Sequence, residues 1–222
     1  MRILTQSRAI SDISRVILRG PGNLRIVQAS QAGLTITAPA EIIEDITSHV
    51  ADGTLHLGYR NQRIVPLAMW RQEISFLLHV EDLNQISSLG SGRIQVADFD
   101  SDNLELNLSG SGEIVIDELT ADSLAVLVSG SGNVTLAGDV ESQQLNIKGS
   151  GYYYADQLLS DLGSLRISGS GAASVSVADR LDVVISGSGN VNYHGFPEIR
   201  KQILGSGAVH RVRKDRKTVR AE

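Results

Sequence analysis

Apolar and polar residues alternate with a period of two through most of the chain beyond residue 90. One unit places Ile94 and Val96 before an aspartate-rich polar stretch and Leu104, Leu106 and Leu108 after it. The same order recurs at Ile114, Ile116, Leu124, Val126 and Val128, at Val134, Leu136, Leu145 and Ile147, and at Ala173, Val175, Leu181, Val183 and Ile185. Such alternation is typical of strands with one buried face. Each unit is therefore predicted to form a strand, a polar turn and a second strand, with strands of about four to five residues.

The tripeptide Gly-Ser-Gly separates successive units. It occurs seven times at intervals of 18 to 20 residues, beginning at Gly90, Gly110, Gly130, Gly149, Gly169, Gly187 and Gly205. Glycine permits the positive φ and the close backbone approach that a tight corner needs. A unit this short can bury its apolar face only against its neighbours, so the repeat predicts stacked coils. The predicted fold is all-β, a β-solenoid similar to a parallel β-helix, in which the corner serines form a column and their hydroxyls bond along the stack.

The first 85 residues are β-rich but irregular. Apolar runs that predict strands lie at 16–18, 24–27, 34–36, 55–57 and 74–80. The segment Gly20-Pro21-Gly22 looks like a degenerate corner of the repeat. This part is predicted to cap the open end of the solenoid, because unpaired backbone at that end has to be covered.

Two segments of this part do not have a strand pattern. Ile42, Ile43, Ile46 and Val50 are spaced three and four residues apart after Pro39, which predicts a helix over residues 40–50. The stretch from residue 60 to residue 71, which contains a proline and the single tryptophan, is predicted to be a long loop. The predicted organisation is thus a cap over residues 1–85, a solenoid over 86–210 that continues the same domain, and a basic tail over 211–222.

Composition and charge exclude several classes of function. Cysteine is absent, which excludes disulfides, thiolate metal sites and a cysteine nucleophile. The net charge is −5, although residues 211–222 hold six Lys/Arg and only two Asp/Glu. Because the remaining body is acidic and would repel a polyanion, nucleic acid is not expected as a partner.

The chain shows no hydrophobic targeting segment. No apolar run approaches the ~18 residues that span a bilayer, and the first residues lack the apolar stretch of a secretory signal. Two locations therefore stay open on the sequence: the cytoplasm, or an exported location for a chain that is mature or trimmed.

Several motifs together resemble one bacterial family. They are the Ser-Gly-Ser-Gly corners at 109–112, 129–132, 168–171 and 186–189, the segment Arg19-Gly20-Pro21-Gly22-Asn23, the segment Asp52-Gly53-Thr54-Leu55-His56-Leu57, and Tyr193-His194-Gly195-Phe196-Pro197 before the last corner. In this order they are similar to the auto-transporter adhesin head domain, also called the GIN domain, over about residues 10–212. The resemblance implies a β-helical protein, exported to the cell envelope, with no established enzymatic activity.

Catalytic and cofactor motifs are missing. His49, His56, His79, His194 and His210 have no metal-ligand spacing, and structural or surface roles are expected for them. None of the corner serines lies in a Gly-x-Ser-x-Gly elbow, and no corner continues into a phosphate-binding loop. The sequence predicts no catalytic residue, no cofactor and no metal.

Carboxylates give the one enzymatic alternative. Asp98, Asp100 and Asp102 cluster in one polar stretch, and Asp117 and Glu118 are expected one coil away. Two carboxyl groups about 5–10 Å apart on one face can cleave a glycosidic bond. No Arg or Lys stands beside them, so solvated acids are the preferred interpretation. Calcium is a further alternative, although the spacing differs from that of calcium-binding β-rolls.

Tyr152, Tyr153 and Tyr154 form the single aromatic cluster. On a strand, Tyr153 would point inward while Tyr152 and Tyr154 share the outer face. Exposed paired tyrosines can stack on a sugar or anchor a protein. Tyr152 and Tyr154 are therefore the predicted contact residues. In the alternative, both rings pack under the segment 155–165.

The sequence thus predicts a non-enzymatic, adhesin-like binding module of a bacterial cell envelope or surface. Its expected partner is a glycan or a surface protein, and homo-oligomers are compatible with it. The alternatives are a carbohydrate-active β-helix enzyme that uses the carboxylates above and a structural scaffold that assembles through the solenoid ends.

Overall fold

Strands make up most of the described chain. The computed structural model describes residues 2–60 and 74–213. Within these residues it contains sixteen strands and one short 3-10 helix at Ile43–Asp45. The strands are β1 (Ile3–Arg8), β2 (Arg15–Arg19), β3 (Asn23–Gln28), β4 (Gly33–Pro39), β5 (Ile46–Ala51), β6 (Thr54–Tyr59), β7 (Ser75–Val80), β8 (Gln85–Gly90), β9 (Arg93–Gly110), β10 (Glu113–Gly130), β11 (Asn133–Gly149), β12 (Tyr152–Gly169), β13 (Ala172–Gly187), β14 (Asn190–His194), β15 (Glu198–Gly205) and β16 (Ala208–Arg211).

The predicted β-solenoid is confirmed. Strands β9 to β13 pair side by side in parallel, and equivalent residues such as Ile94, Ile114 and Val134 lie in register. Each coil has three sides, which follow one another along the chain. In β9 the first side is 93–96, the second side is 97–102, and the third side is 103–110, which ends at the corner. The second sides of the following coils are 117–122, 137–141, 156–161, 176–179 and 194–197.

The second side is strand rather than the predicted polar turn. Strands β9 to β13 run through it without a break and are 16 to 18 residues long. The reason is that Phe99, Leu119 and Leu158 point inward from this side and are fully buried. Stacking of these side chains holds the backbone extended between the acidic residues.

The core runs along the axis of the stack. Val134, Leu145, Val175 and Val183 are all at most 1% exposed, as the alternating pattern predicts. Buried residues from every coil and from the N-terminal strands form one cluster. Because each coil covers the apolar face of the next, a single continuous core results.

Backbone amides, not serine hydroxyls, connect the corners. Ser111 N donates to Gly90 O at 2.9 Å, and Ser131 N donates to Gly110 O at 2.9 Å. The serine side chains themselves are exposed on the outside of the corner. The segment Gly20-Pro21-Gly22 extends this column as predicted, since Gly20 N donates to Leu89 O at 3.0 Å.

The N-terminal strands continue the coils and then close them. β2 and β3 pair in parallel with β8 and β9, so they form a coil of the same stack. Beyond them, β7 and the antiparallel strands β4 and β1 extend the first side. β6 and the antiparallel strand β5 extend the third side.

The predicted helix over residues 40–50 is wrong. Residues 43–45 form one 3-10 turn, and β5 follows at once and pairs with β6. The apolar spacing of Ile42, Ile43 and Ile46 reflects burial at the end of the solenoid, where they are at most 6% exposed. An isolated helix of this length is marginal, whereas pairing with β6 satisfies the backbone.

Two sequence predictions fall partly outside the described residues. Of the predicted loop over 60–71, only Arg60 is among the described residues. Of the predicted basic tail over 211–222, the part beyond Arg213 lies outside them. No helix of the described chain has the length and apolar character needed to cross a bilayer.

Candidate functional site

The tyrosine cluster lies on the first side of the solenoid, at the start of β12. Tyr153 points into the core and is 1% exposed, while Tyr152 and Tyr154 are each 44% exposed. The outer rings are parallel within 4°, with centroids 5.9 Å apart. The predicted inward and outward directions are confirmed, because side chains alternate along a strand.

Small polar neighbours surround the two exposed rings. Asn133 and Ala172 lie in register on either side of Tyr152. Thr135 and Ser174 occupy the same positions beside Tyr154. Because these neighbours are short, both rings rise above a flat surface. We call this surface the tyrosine shelf: Tyr152, Tyr154, Asn133, Thr135, Ala172 and Ser174.

The segment that follows the tyrosines does not cover them. Residues 155–165 belong to β12 and continue around the coil as strand. Leu159 and Leu162, whose apolar character suggested a cover, are 50% and 43% exposed on other parts of the coil. The alternative in which both rings pack under this segment is therefore wrong.

A buried polar network lies behind the shelf. The Tyr153 hydroxyl donates to Gln143 Oε1 at 3.0 Å, and Gln143 Nε2 donates to Ser160 Oγ at 2.7 Å. Ser160 Oγ donates to Ser176 O at 3.1 Å, so the network connects β11, β12 and β13. Burial raises the pKa of Tyr153 strongly, which keeps its hydroxyl protonated as a donor. Nothing in the local sequence singled out Gln143 or Ser160, since the contact joins different coils.

The second side is strongly acidic. Its segments between residues 97 and 179 contain eleven Asp/Glu and no Lys or Arg. Asp98 and Glu118 lie in register on adjacent coils, as the sequence predicted, and both are exposed. The sequence drew attention to only five of these carboxylates, because the other six are distributed over four coils and come together only when the coils stack.

A groove of about 560 Å³ crosses this acidic side. Its apolar surface comes from Ala121, Val140, Leu159, Val177 and Ala178. Its acidic residues are Asp122, Asp139, Glu141 and Asp161. The sequence analysis missed the groove, although the shortening of the repeat from 20 to 18 residues is its signal.

The five carboxylates of the glycosidase alternative lie outside the groove. Asp98, Asp100, Asp102, Asp117 and Glu118 are all exposed, and none of them lines it. Among the residues that the structure describes, no group of three or more His, Asp or Glu could hold a metal ion. The described residues of this side therefore provide no set of carboxylates that supports the calcium alternative.

Two of the five histidines lie side by side at one end of the solenoid. His49 and His56 stack across the β5–β6 pair, with ring centroids 4.7 Å apart. Burial lowers the pKa of His56, and the charges of His49, Arg19 and Arg15 lower it further. This pair lies at the N-terminal end, far along the stack from the tyrosine shelf.

The fold is a β-solenoid whose flat sides are exposed, with the tyrosine shelf on one of them. Residues 12–197 match the model of the family described as "Putative auto-transporter adhesin, head GIN domain". The match covers most of the chain, and the protein belongs to this family. The resemblance seen in the sequence is thereby confirmed. No curated protein gave a match.

Several solved structures share this fold. A putative adhesin from Bacteroides fragilis is 24% identical, with a TM-score of 0.87 over 95% of this chain and 97% of that one. A putative adhesin from Parabacteroides merdae is 20% identical, with a TM-score of 0.74 over 96% and 97%. A Parabacteroides distasonis protein described as lipid binding is 23% identical, with a TM-score of 0.77 over 95% and 97%. At these identities the likeness concerns the fold alone.

Proposed function

We propose that this protein is a non-enzymatic, adhesin-like binding module of a bacterial cell envelope or surface, and that it binds a glycan at the tyrosine shelf. The observation that carries the proposal is the pair of parallel, half-exposed rings of Tyr152 and Tyr154 on a mostly polar flat side. Exposed aromatic pairs on a soluble surface often mark contact sites. The family description as an adhesin supports the same class of function.

The shelf has the chemistry that a sugar needs. The ring faces of Tyr152 and Tyr154 offer an apolar surface to the C–H face of a pyranose. Thr135 and Ser174, one coil away on either side, offer donors and acceptors to its hydroxyls. Neighbouring coils are about 4.8 Å apart, which is close to the width of one sugar ring.

Binding should depend on the two rings. We expect Tyr152→Ala combined with Tyr154→Ala to weaken glycan binding tenfold or more, since an interfacial aromatic contributes about 1–3 kcal/mol. A glycan array would select the ligand, and calorimetry on the full chain would compare the variants. Gln95→Ala is the matched control, because Gln95 lies exposed on the same side three coils away.

Two outcomes would contradict this proposal. Equal glycan affinity in the double variant and the unchanged protein would remove the shelf as the site. A large loss of thermal stability in the double variant, without a separate binding defect, would assign the rings a structural role. Release of products from a polysaccharide panel would instead support the enzymatic alternative.

A self-assembling scaffold is the second candidate. Among the described residues, β15 pairs only with β13, and β16 pairs only with β14. One edge of each of these two strands therefore has no described strand beside it. Arg200 and Lys201 lie in the middle of β15, and positive charge on an edge strand opposes pairing with a second copy. Concentration-dependent filaments in sedimentation would favour this candidate over the glycan-binding module.

A further inference from the structure

The groove on the second side is separate from the tyrosine shelf and has no part in the proposed glycan site. Ala121, Val140 and Val177 lie at its floor as part of the core, at 7%, 6% and 2% exposure, so its accessible apolar surface comes mainly from Leu159 and the exposed Ala178. Leu159 stands beside them with half of its side chain open to solvent. An apolar surface of this kind lies on a side that is otherwise acidic.

Unequal coil lengths create the groove. The registers leave six residues on the second side of β9, β10 and β12, five on that of β11, and four on those of β13 and the last coil. The shorter sides lie closer to the axis, so Val177 and Gly195 are recessed beside the longer side that carries Leu159. Most residues that line the depression are therefore strand residues, and Gly195 of the connection between β14 and β15 lines it at the last coil.

Carboxylates that form no ion pair with any described residue border this apolar surface. Asp122, Asp139, Glu141 and Asp161 line the groove and are exposed. The ion pairs found in the described part of the chain lie elsewhere, at Arg93–Glu113, Arg180–Asp182 and Arg200–Glu198. Within residues 2–60 and 74–213, no Lys or Arg lines the groove. The described part of the groove thus combines an apolar surface with negative charge.

We propose that this groove binds an extended basic segment of a partner protein. The groove crosses five coils, from Asp122 on β10 to Gly195 on the last coil. Four steps of about 4.8 Å span about 19 Å, which is the length of about six residues of extended chain. In such a chain alternate side chains point to opposite sides, so apolar residues contact Leu159 and Ala178 while Lys or Arg side chains reach the carboxylates.

The apolar surface favours a peptide over a bare cation. A hydrated metal ion needs several oxygen ligands at 2–3 Å, and no group of three acidic or histidine side chains in the described chain provides them. A basic peptide gains from both features, because it covers Leu159 and pairs with separate carboxylates. Its association is also accelerated by the negative field of the whole side.

The test uses the full chain and a labelled six-residue peptide of alternating Lys and Val. We expect fluorescence anisotropy to show saturable binding that weakens as NaCl is raised. Asp139→Asn with Glu141→Gln and Asp161→Asn should weaken binding about tenfold, since each exposed charge pair contributes modestly. Peptides of alternating Glu and Val, or of Lys and Ser, should bind much more weakly than the Lys and Val peptide.

The control variant carries Asp98→Asn, Asp100→Asn and Glu118→Gln. It loses the same number of charges on the same side but outside the groove, and we expect its peptide affinity to fall by less than about twofold, because only the long-range field is reduced. Equal weakening in both triple variants would reduce the effect to net charge and overturn the site. Absence of binding at millimolar peptide would also overturn it.

The other possible occupant is the basic C-terminal segment of this chain. A variant that ends at Arg213 should bind the peptide as the full chain does if the occupant comes from a partner. Markedly tighter binding by the shortened chain would overturn the partner assignment and assign the groove to an intramolecular contact. Loss of glycan binding in the tyrosine double variant has no bearing on either result, so the two proposals fail independently.

Discussion

Single glycines determine how closely the coils approach one another. Gly130 has a φ of +125°, a conformation that side-chain-bearing residues rarely adopt. A Cβ atom placed there would lie 2.5 Å from Gly110 O of the neighbouring corner. The same carbonyl accepts the backbone hydrogen bond from Ser131 N. Glycine at this position therefore serves both the corner conformation and the contact between coils.

We expect Gly130→Val to lower the free energy of unfolding by about 2–4 kcal/mol, because strain at positive φ adds to a clash with backbone. Chemical denaturation followed by circular dichroism measures the change. Gly33→Val is the control, since Gly33 lies in β4 and a Cβ there meets nothing within 4 Å. Equal stability of the Gly130 variant and the unchanged protein would contradict the role given to the corners.

At the level of elements, the β5–β6 pair closes the N-terminal end of the third side. His49 and His56 stack across this pair, and Arg15 and Arg19 of β2 are the other charged groups that act on His56. Burial, followed by these positive neighbours, lowers the pKa of His56 below its ordinary value of about 6.5. The folded β5–β6 pair therefore favours the neutral imidazole of His56.

This shift predicts a loss of stability in acid. Because the folded state binds the His56 proton less readily than the unfolded chain, the stabilisation is complete above about pH 6.5 and is lost as pH falls through the folded pKa. We expect the decrease in melting temperature from pH 7.5 to pH 5.0 to be smaller in His56→Gln than in the unchanged protein. His210→Gln, on the exposed strand β16, is the control and should keep the full decrease.

At the level of the whole molecule, charge is distributed by side. The second side holds eleven of the 25 Asp/Glu and no Lys or Arg, so acidic residues of successive coils repel one another. Asp98 and Glu118 illustrate this, since their positions are in register on strands about 4.8 Å apart. Like charges at opposed positions on neighbouring strands lower the stability of the folded chain.

Salt should therefore stabilise the protein. We expect the melting temperature to rise when NaCl is increased from about 10 mM to about 300 mM, because the Debye length falls from about 30 Å to below 8 Å. Asp98→Asn with Glu118→Gln should raise the melting temperature at low salt and reduce the response to NaCl. A melting temperature that falls or stays constant as salt is added would contradict the repulsion argument.

The sequence alone determined the coil period, the positions of the corners and the direction of most side chains. Seven Gly-Ser-Gly tripeptides and the alternation between them are local signals, and stacking repeats the same contact along the chain. For this reason the burial of Val134 and the exposure of Tyr152 and Tyr154 followed from the pattern.

The tertiary structure decided what depends on contacts between coils. Phe99 and Leu119 turn the predicted polar turn into strand because each is buried against its neighbour in the stack. Residues 46–51 form β5 because β6 offers an edge, which outweighs a helical spacing of apolar residues. The groove exists because coils of different length meet on one side, and the carboxylates of one coil reach those of the next only through the parallel register that stacking imposes.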